Sequence, residues 1–100
     1  MSGADAYTRF REVLDECLAR LGGHRLQLPL HWVAIGPRGV ILKGRYEAVG
    51  HARPEYVLEG EPFPAELLPF PVHYLFVDAA GKGAHIVVRS FSVIELLGCG

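Results

Sequence analysis

Five histidines stand among 100 residues, and three of them fall in strand-like stretches where imidazoles can converge. His73 lies in VHYLFV, His85 in AHIVV and His31 in LHWVAI. If residues 72–78 and 84–90 form a hairpin about the turn AAGKG, His73 and His85 become diagonal neighbours on one sheet face, within reach of one ligand. With His31 on the same face, three imidazoles and an open position would make a metal site of the catalytic kind. The spacing repeats no known metal motif and no carboxylate sits beside the three. The commoner reading of such residues is therefore histidines spread over a surface or an interface. At an interface they would make association pH-sensitive, because imidazole titrates close to neutrality.

Other reactive residue types lead less far. His51 and Glu55 flank the turn HARPE as a possible acid–base pair, with no nucleophile nearby. Ser90 and Ser92 lack the glycines of a nucleophile elbow. Gly81-Lys82-Gly83 lacks the earlier glycine and the following Ser or Thr of a phosphate loop, and sits between strands. Cys17 and Cys99 fit neither a CxxC nor a zinc spacing, so two free thiols are expected. No catalytic residue and no cofactor are expected, and an enzyme is the weaker reading.

The elements that would position these groups follow from periodicity. Tyr7, Phe10, Leu14, Cys17 and Leu21 recur at helical spacing, widened by Val13 and Leu18, which predicts a helix over 4–21. Cys17 falls on this apolar stripe and reads as a small buried hydrophobe. Gly22-Gly23 is the expected stop, through a left-handed glycine. Beyond it the period drops to two. Strands are predicted over 26–35, 40–49, 55–59, 72–78 and 84–90, with turns at GPRG, GHARP and AAGKG. A hairpin loop ending in a left-handed Gly39 would set Trp32 opposite Gly44 and Ala34 opposite Leu42, the glycine leaving room for the indole. The tail FSVIELL reads as strand from its β-branched pair Val93-Ile94, although Ser92 and Glu95 also suit a capping box opening a short helix. The predicted fold is α+β: one domain over 1–100, with an N-terminal helix packed on an antiparallel meander of about five strands, in two layers.

This arrangement leaves apolar surface over. Half of the residues are hydrophobic, 21% are charged and the formal net charge is −1. Such a balance offers nothing to nucleic acid or anionic lipid. The acidic N-terminal stretch resembles no signal peptide, and no run is long enough to span a membrane, so the expected location is the cytoplasm. A sheet with one solvated face should be polar on that face. Here the presumed back face carries Val33, Ile35, Ile41, Val57, Leu75, Val77 and Val87, broken by Lys43, Arg45, Glu47, Glu59, Arg89 and the three histidines. Leaving even ~400 Å² of apolar area in water forgoes about 10 kcal/mol. A second surplus is the connection PFPAELLPFP at 62–71, with four prolines, two phenylalanines and two leucines. Connections are usually short and polar.

The expectation is a small non-enzymatic module that acts through protein contact and self-association, most simply as a homodimer. Its surface would be formed by Val33, Ile35, Ile41, Leu75, Val77, Val87, Phe63, Leu67 and Phe70. The rival is a small-ligand- or metal-binding domain with a pocket under 62–71 and His73, His85 and His31 as its polar groups.

Overall fold

The computed structural model describes residues 3–59, 70–90 and 92–100, with side chains from residue 8 onward. Helix α1 spans Gly3–Leu21. Phe10, Val13, Leu14, Cys17 and Leu21 form its buried stripe, and Leu18 packs beside them. The side chain of Tyr7, at the head of this stripe, lies outside the described residues. On the outer face Glu16 and Arg20 form an ion pair at 3.6 Å. The stop differs from expectation. Gly22–His24 tighten into a 3-10 turn, and the left-handed residue that ends it is Arg25, at φ 53°. A 3-10 turn needs no positive φ of its glycines, so the reversal falls beyond them.

Six antiparallel strands form the second layer: β1 Leu30–Gly36, β2 Gly39–Glu47, β3 Glu55–Glu59, β4 Val72–Val77, β5 Gly83–Ser90 and β6 Val93–Cys99. The two-layer α+β architecture is the expected one, and the tail adds β6. Ile94 turns inward (7% exposed) and Val93 outward (43%), the alternation of a strand. The order across the sheet is β3-β2-β1-β4-β5-β6. After β3 the chain returns to lie beside β1, which converts the first four strands from a simple meander into a Greek key. β3 and β4, consecutive in the chain, are thus three strand positions apart, about 14 Å at ordinary strand spacing. A tight turn cannot span that distance, which accounts for the length of the proline-rich segment. Phe63 and Leu67 lie outside the described residues. Phe70, which the expected interface drew from this segment, is half-buried against the helix-side core.

The first hairpin reaches the expected register by a different turn. Trp32 faces Gly44 and Ala34 faces Leu42, but Gly36 pairs with Gly39 and Ile35 with Val40. The loop is thus the pair Pro37-Arg38, and the extra residue becomes a β-bulge at Ile41. The bulge turns Ile41 against the core and leaves Val40 61% exposed. Ile41 is accordingly removed from the expected back face and Val40 takes its place. In the second hairpin, Val72 pairs with Val88, Tyr74 with Ile86 and Phe76 with Ala84, as expected. Its turn carries Gly81 at φ 86°, and the Asp78 N–H donates to the Lys82 carbonyl at 2.9 Å.

The core lies between α1 and the inward residues of β1, β2, β4, β5 and β6. Its centre is aromatic: the Phe10 ring is 5.6 Å from Trp32 and 6.2 Å from Tyr74, with Trp32 and Tyr74 6.5 Å apart. The Trp32 Nε1 and the Tyr74 hydroxyl are buried without a partner among the described residues. Each such group costs about 1–3 kcal/mol, which the apolar bodies of the two rings must outweigh. Gly44 carries the tightest constraint. A Cβ there would stand 2.5 Å from the Val57 carbonyl oxygen and 2.8 Å from the Trp32 ring. Gly44→Ala is expected to lower stability by about 1–3 kcal/mol through overpacking against backbone, seen as a reduced urea midpoint at unchanged slope.

Candidate functional site

The β4–β5 hairpin builds the most distinctive group on the face opposite α1. Its register sets His73 beside Val87 and Leu75 beside His85, so the two imidazoles meet on the diagonal. His73 Nδ1 and His85 Nε2 are 2.8 Å apart, a hydrogen bond in which one ring N–H donates to the other ring's lone pair. The ring centres are 5.1 Å apart. An imidazole nitrogen lies roughly 1.15 Å from its ring centre, so two rings meeting head-on at this N···N distance would have centres about 5.1 Å apart. The nitrogens therefore point at each other along a nearly straight line. Both rings are half-buried, and Val87 beside them is only 1% exposed.

His31 does not join them. It is exposed and pairs with Val77, while His73 pairs with Ile35 at the other end of the same ladder. Four residues of strand separate the two positions, about 13 Å. Of the three histidines that the rival reading grouped on this face, two thus meet and the third does not. Among the described residues no group of three or more His, Cys, Asp or Glu is placed to hold a metal ion. A pocket beneath 62–71 would fall on residues outside those described.

Around the pair the back face is apolar along its middle. Val33 and Ile35 are half-buried, while Leu75, Val77 and Leu97 are 37%, 49% and 50% exposed. Leu97 is the extra residue of a bulge in the β5–β6 ladder. A shallow hollow of about 420 Å³ is lined by Leu75, Val77, His85 and Leu97 together with the chain end at Cys99 and Gly100. The sequence pointed to Leu75 and Val77. Leu97 could be placed only once β6 was known to pair with β5.

Charge is confined to the flanks. On the β2–β3 side Arg45 donates from Nε to Glu47 at 2.9 Å and from its terminal nitrogen to Glu59 at 2.8 Å. These two carboxylates, Glu47 first, hold its pKa above the ordinary value. On the β5–β6 side Arg89 meets Glu95 at 3.4 Å. Of the cations on this face, Arg45 and Arg89 are thus both held by carboxylates. His51 and Glu55 are both exposed.

Two further groups have clear chemistry. Burial pushes the Cys17 thiol up to about 12, with the Glu16 charge adding to the shift, so it is no nucleophile. Asp78, the last residue of the predicted strand 72–78, is 4% exposed. Its Oδ2 accepts from the Gln27 N–H at 2.9 Å, and its Oδ1 accepts from the Ala80 and Lys82 N–H groups at 2.9 and 2.8 Å. It ties the segment after α1 to the β4–β5 turn, and those N–H groups, Gln27 first, hold its pKa below the ordinary value. No helix among the described residues is long and apolar enough to cross a membrane. In comparisons with known proteins, the chain matches no family model, no curated protein and no solved structure.

Two measurements check these assignments. In folded protein a thiol reagent should label the half-buried Cys99 and spare Cys17 until denaturant is added; prompt labelling of both would contradict the buried assignment. A carboxylate with a depressed folded pKa stabilises above its unfolded pKa, and that contribution fades as pH falls through the folded value. Asp78→Asn should therefore melt lower than wild type at neutral pH, with the gap closing under acid conditions. A gap that stayed constant with pH would rule out the ionised carboxylate as the tie.

Proposed function

We propose that this chain is a small, non-enzymatic cytoplasmic module that pairs with a second copy of itself through the back face of the sheet and acts by protein contact. The observation that carries the reading is the exposed apolar strip of Leu75, Val77 and Leu97, continuous with half-buried Val33 and Ile35. An apolar centre between charged margins is the anatomy of a subunit interface. A contiguous patch of this kind on a soluble chain marks a contact surface.

A second copy suits it for two reasons. The flanking charges are already paired on the face itself, Arg45 with Glu47 and Glu59 and Arg89 with Glu95. An identical face thus meets it with most of its charge already paired, as suits a twofold interface. The area is also adequate. Six strands are roughly 24 Å across and some 20–30 Å long, a face of roughly 500–700 Å², near the ~800 Å² per partner of a standard interface. Two such faces would pack as aligned sheets about 10 Å apart, with the helices outermost.

Leu75→Asp sets a carboxylate in the middle of the strip at a position already 37% exposed, so it should leave the fold intact. Sedimentation velocity should show wild type as a dimer and the variant as a monomer, with a dissociation constant raised at least a hundredfold, the order expected of an unpaired buried charge. A variant that kept the wild-type mass would exclude this face as the interface.

A further inference from the structure

The histidine pair has a property that neither histidine has alone. As neutral rings, His73 and His85 share one bridging proton across 2.8 Å. A first added proton goes to the outer nitrogen of the donating ring and leaves the bridge intact. A second has only the bridging lone pair of the acceptor to occupy. It would set two N–H groups against each other at hydrogen-bond distance, and the rings must then part. The head-on alignment, with ring centres 5.1 Å apart, also decides against a metal ion in the resting geometry. Two nitrogens bound to one ion at right or tetrahedral angles aim their lone pairs at a common point to one side, not at each other.

The surroundings offer the added charge little. Opposite His73 lie Ile35 on β1 and Val87 on β5, and opposite His85 lie Leu75 on β4 and Gly98 on β6. The nearest charged groups on this face among the described residues are Glu95 on β6 and Arg89 on β5, already paired with each other at 3.4 Å. Lys43 on β2, opposite Val33, and His31 on β1, opposite Val77, lie further along. No described carboxylate is free to receive an imidazolium here. A cationic pair can thus be tolerated where water reaches it and is opposed where a second sheet covers it.

We propose that the His73–His85 pair gates self-association by pH, holding two copies together while both rings are neutral and releasing them as the pair takes up a proton. This rests on the back-face assembly proposed above. The sign follows from linkage: the separated chain binds more protons than the assembled one, so assembly is present above the imidazole range and lost as pH falls through it. If each chain takes up one proton on release, the dissociation constant rises about a hundredfold per pH unit on the acid side.

The test is sedimentation velocity from about pH 8 to about pH 5, a span that brackets imidazole titration, on wild type, His31→Gln and the double variant His73→Asn with His85→Gln. Wild type and His31→Gln should dissociate steeply with acid, while the double variant, whose amides do not titrate, should stay dimeric. Circular dichroism confirms that each is folded. If the double variant does not fold, imidazole ¹⁵N–¹H correlations on wild type replace it. The ¹⁵N signals of His73 and His85 should move from the neutral to the imidazolium pattern in parallel with loss of the dimer. A wild-type dimer that persists in acid, a double variant as acid-sensitive as wild type, or loss of the effect in His31→Gln would overturn the gate while leaving the assembly in place. A wild type that is monomeric throughout overturns the assembly and the gate with it.

Discussion

A sheet has two faces, and α1 covers only one of them. That constraint governs the rest of the molecule. Strand alternation sends Trp32, Tyr74, Phe76 and Ile86 beneath the helix, where all are buried, and by the same alternation sends Val33, Leu75, Val77 and Val87 to the other side. In a sheet meant to face water, the second set would be polar. Here most of the charged residues are displaced to the flanks, where Arg45 and Arg89 are held in ion pairs, and apart from the histidines the middle stays apolar. Burial at about 25 cal/mol per Å² is the only sizeable term acting on that strip, since exposed ion pairs contribute little. The assembly proposed here answers that imbalance.

The same constraint accounts for the connectivity. A simple meander would have placed β4 at an edge beside β3. The observed order sets β1 and β4 at the centre, where both can lie fully under the helix, and leaves β3, closed at each end by a glutamate, as one edge. Charged, short edge strands resist unwanted pairing. The cost is a long return from β3 to β4. Asp78 then fixes the far end of the central pair by binding three backbone N–H groups from two segments. It is a local anchor whose strength comes from saturating one carboxylate.

Much of this was legible in the residues because local chemistry decided it. The helix follows from its stripe, and the β4–β5 register follows from a glycine able to take positive φ in the turn. From that register alone His73 and His85 were expected to meet, and they do. Trp32 was expected over Gly44 because only a glycine leaves space for the indole, and the contact is there. What could not be read depended on choices between distant partners. The Greek-key return leaves no trace in periodicity, because a strand that pairs with β1 looks like one that pairs with β3. The Ile41 bulge was invisible for a related reason: a two-residue loop plus a bulge and a three-residue loop without one both align Ala34 with Leu42. That ambiguity exchanged Ile41 for Val40 on the back face. His31 was misjudged because sharing a face does not mean sharing a neighbourhood, and only the register shows it to be four positions away.

The central claim is that the strip around Leu75 and Val77 is covered by a second copy of the chain. Light scattering coupled to size-exclusion chromatography tests it most directly, at neutral pH and over a wide range of loading concentrations. The mass expected of a dimer is twice that of the 11.0 kDa chain, falling toward the single-chain value only on strong dilution. A constant single-chain mass at every concentration would contradict it, and would mean that the chain keeps this face without a second copy.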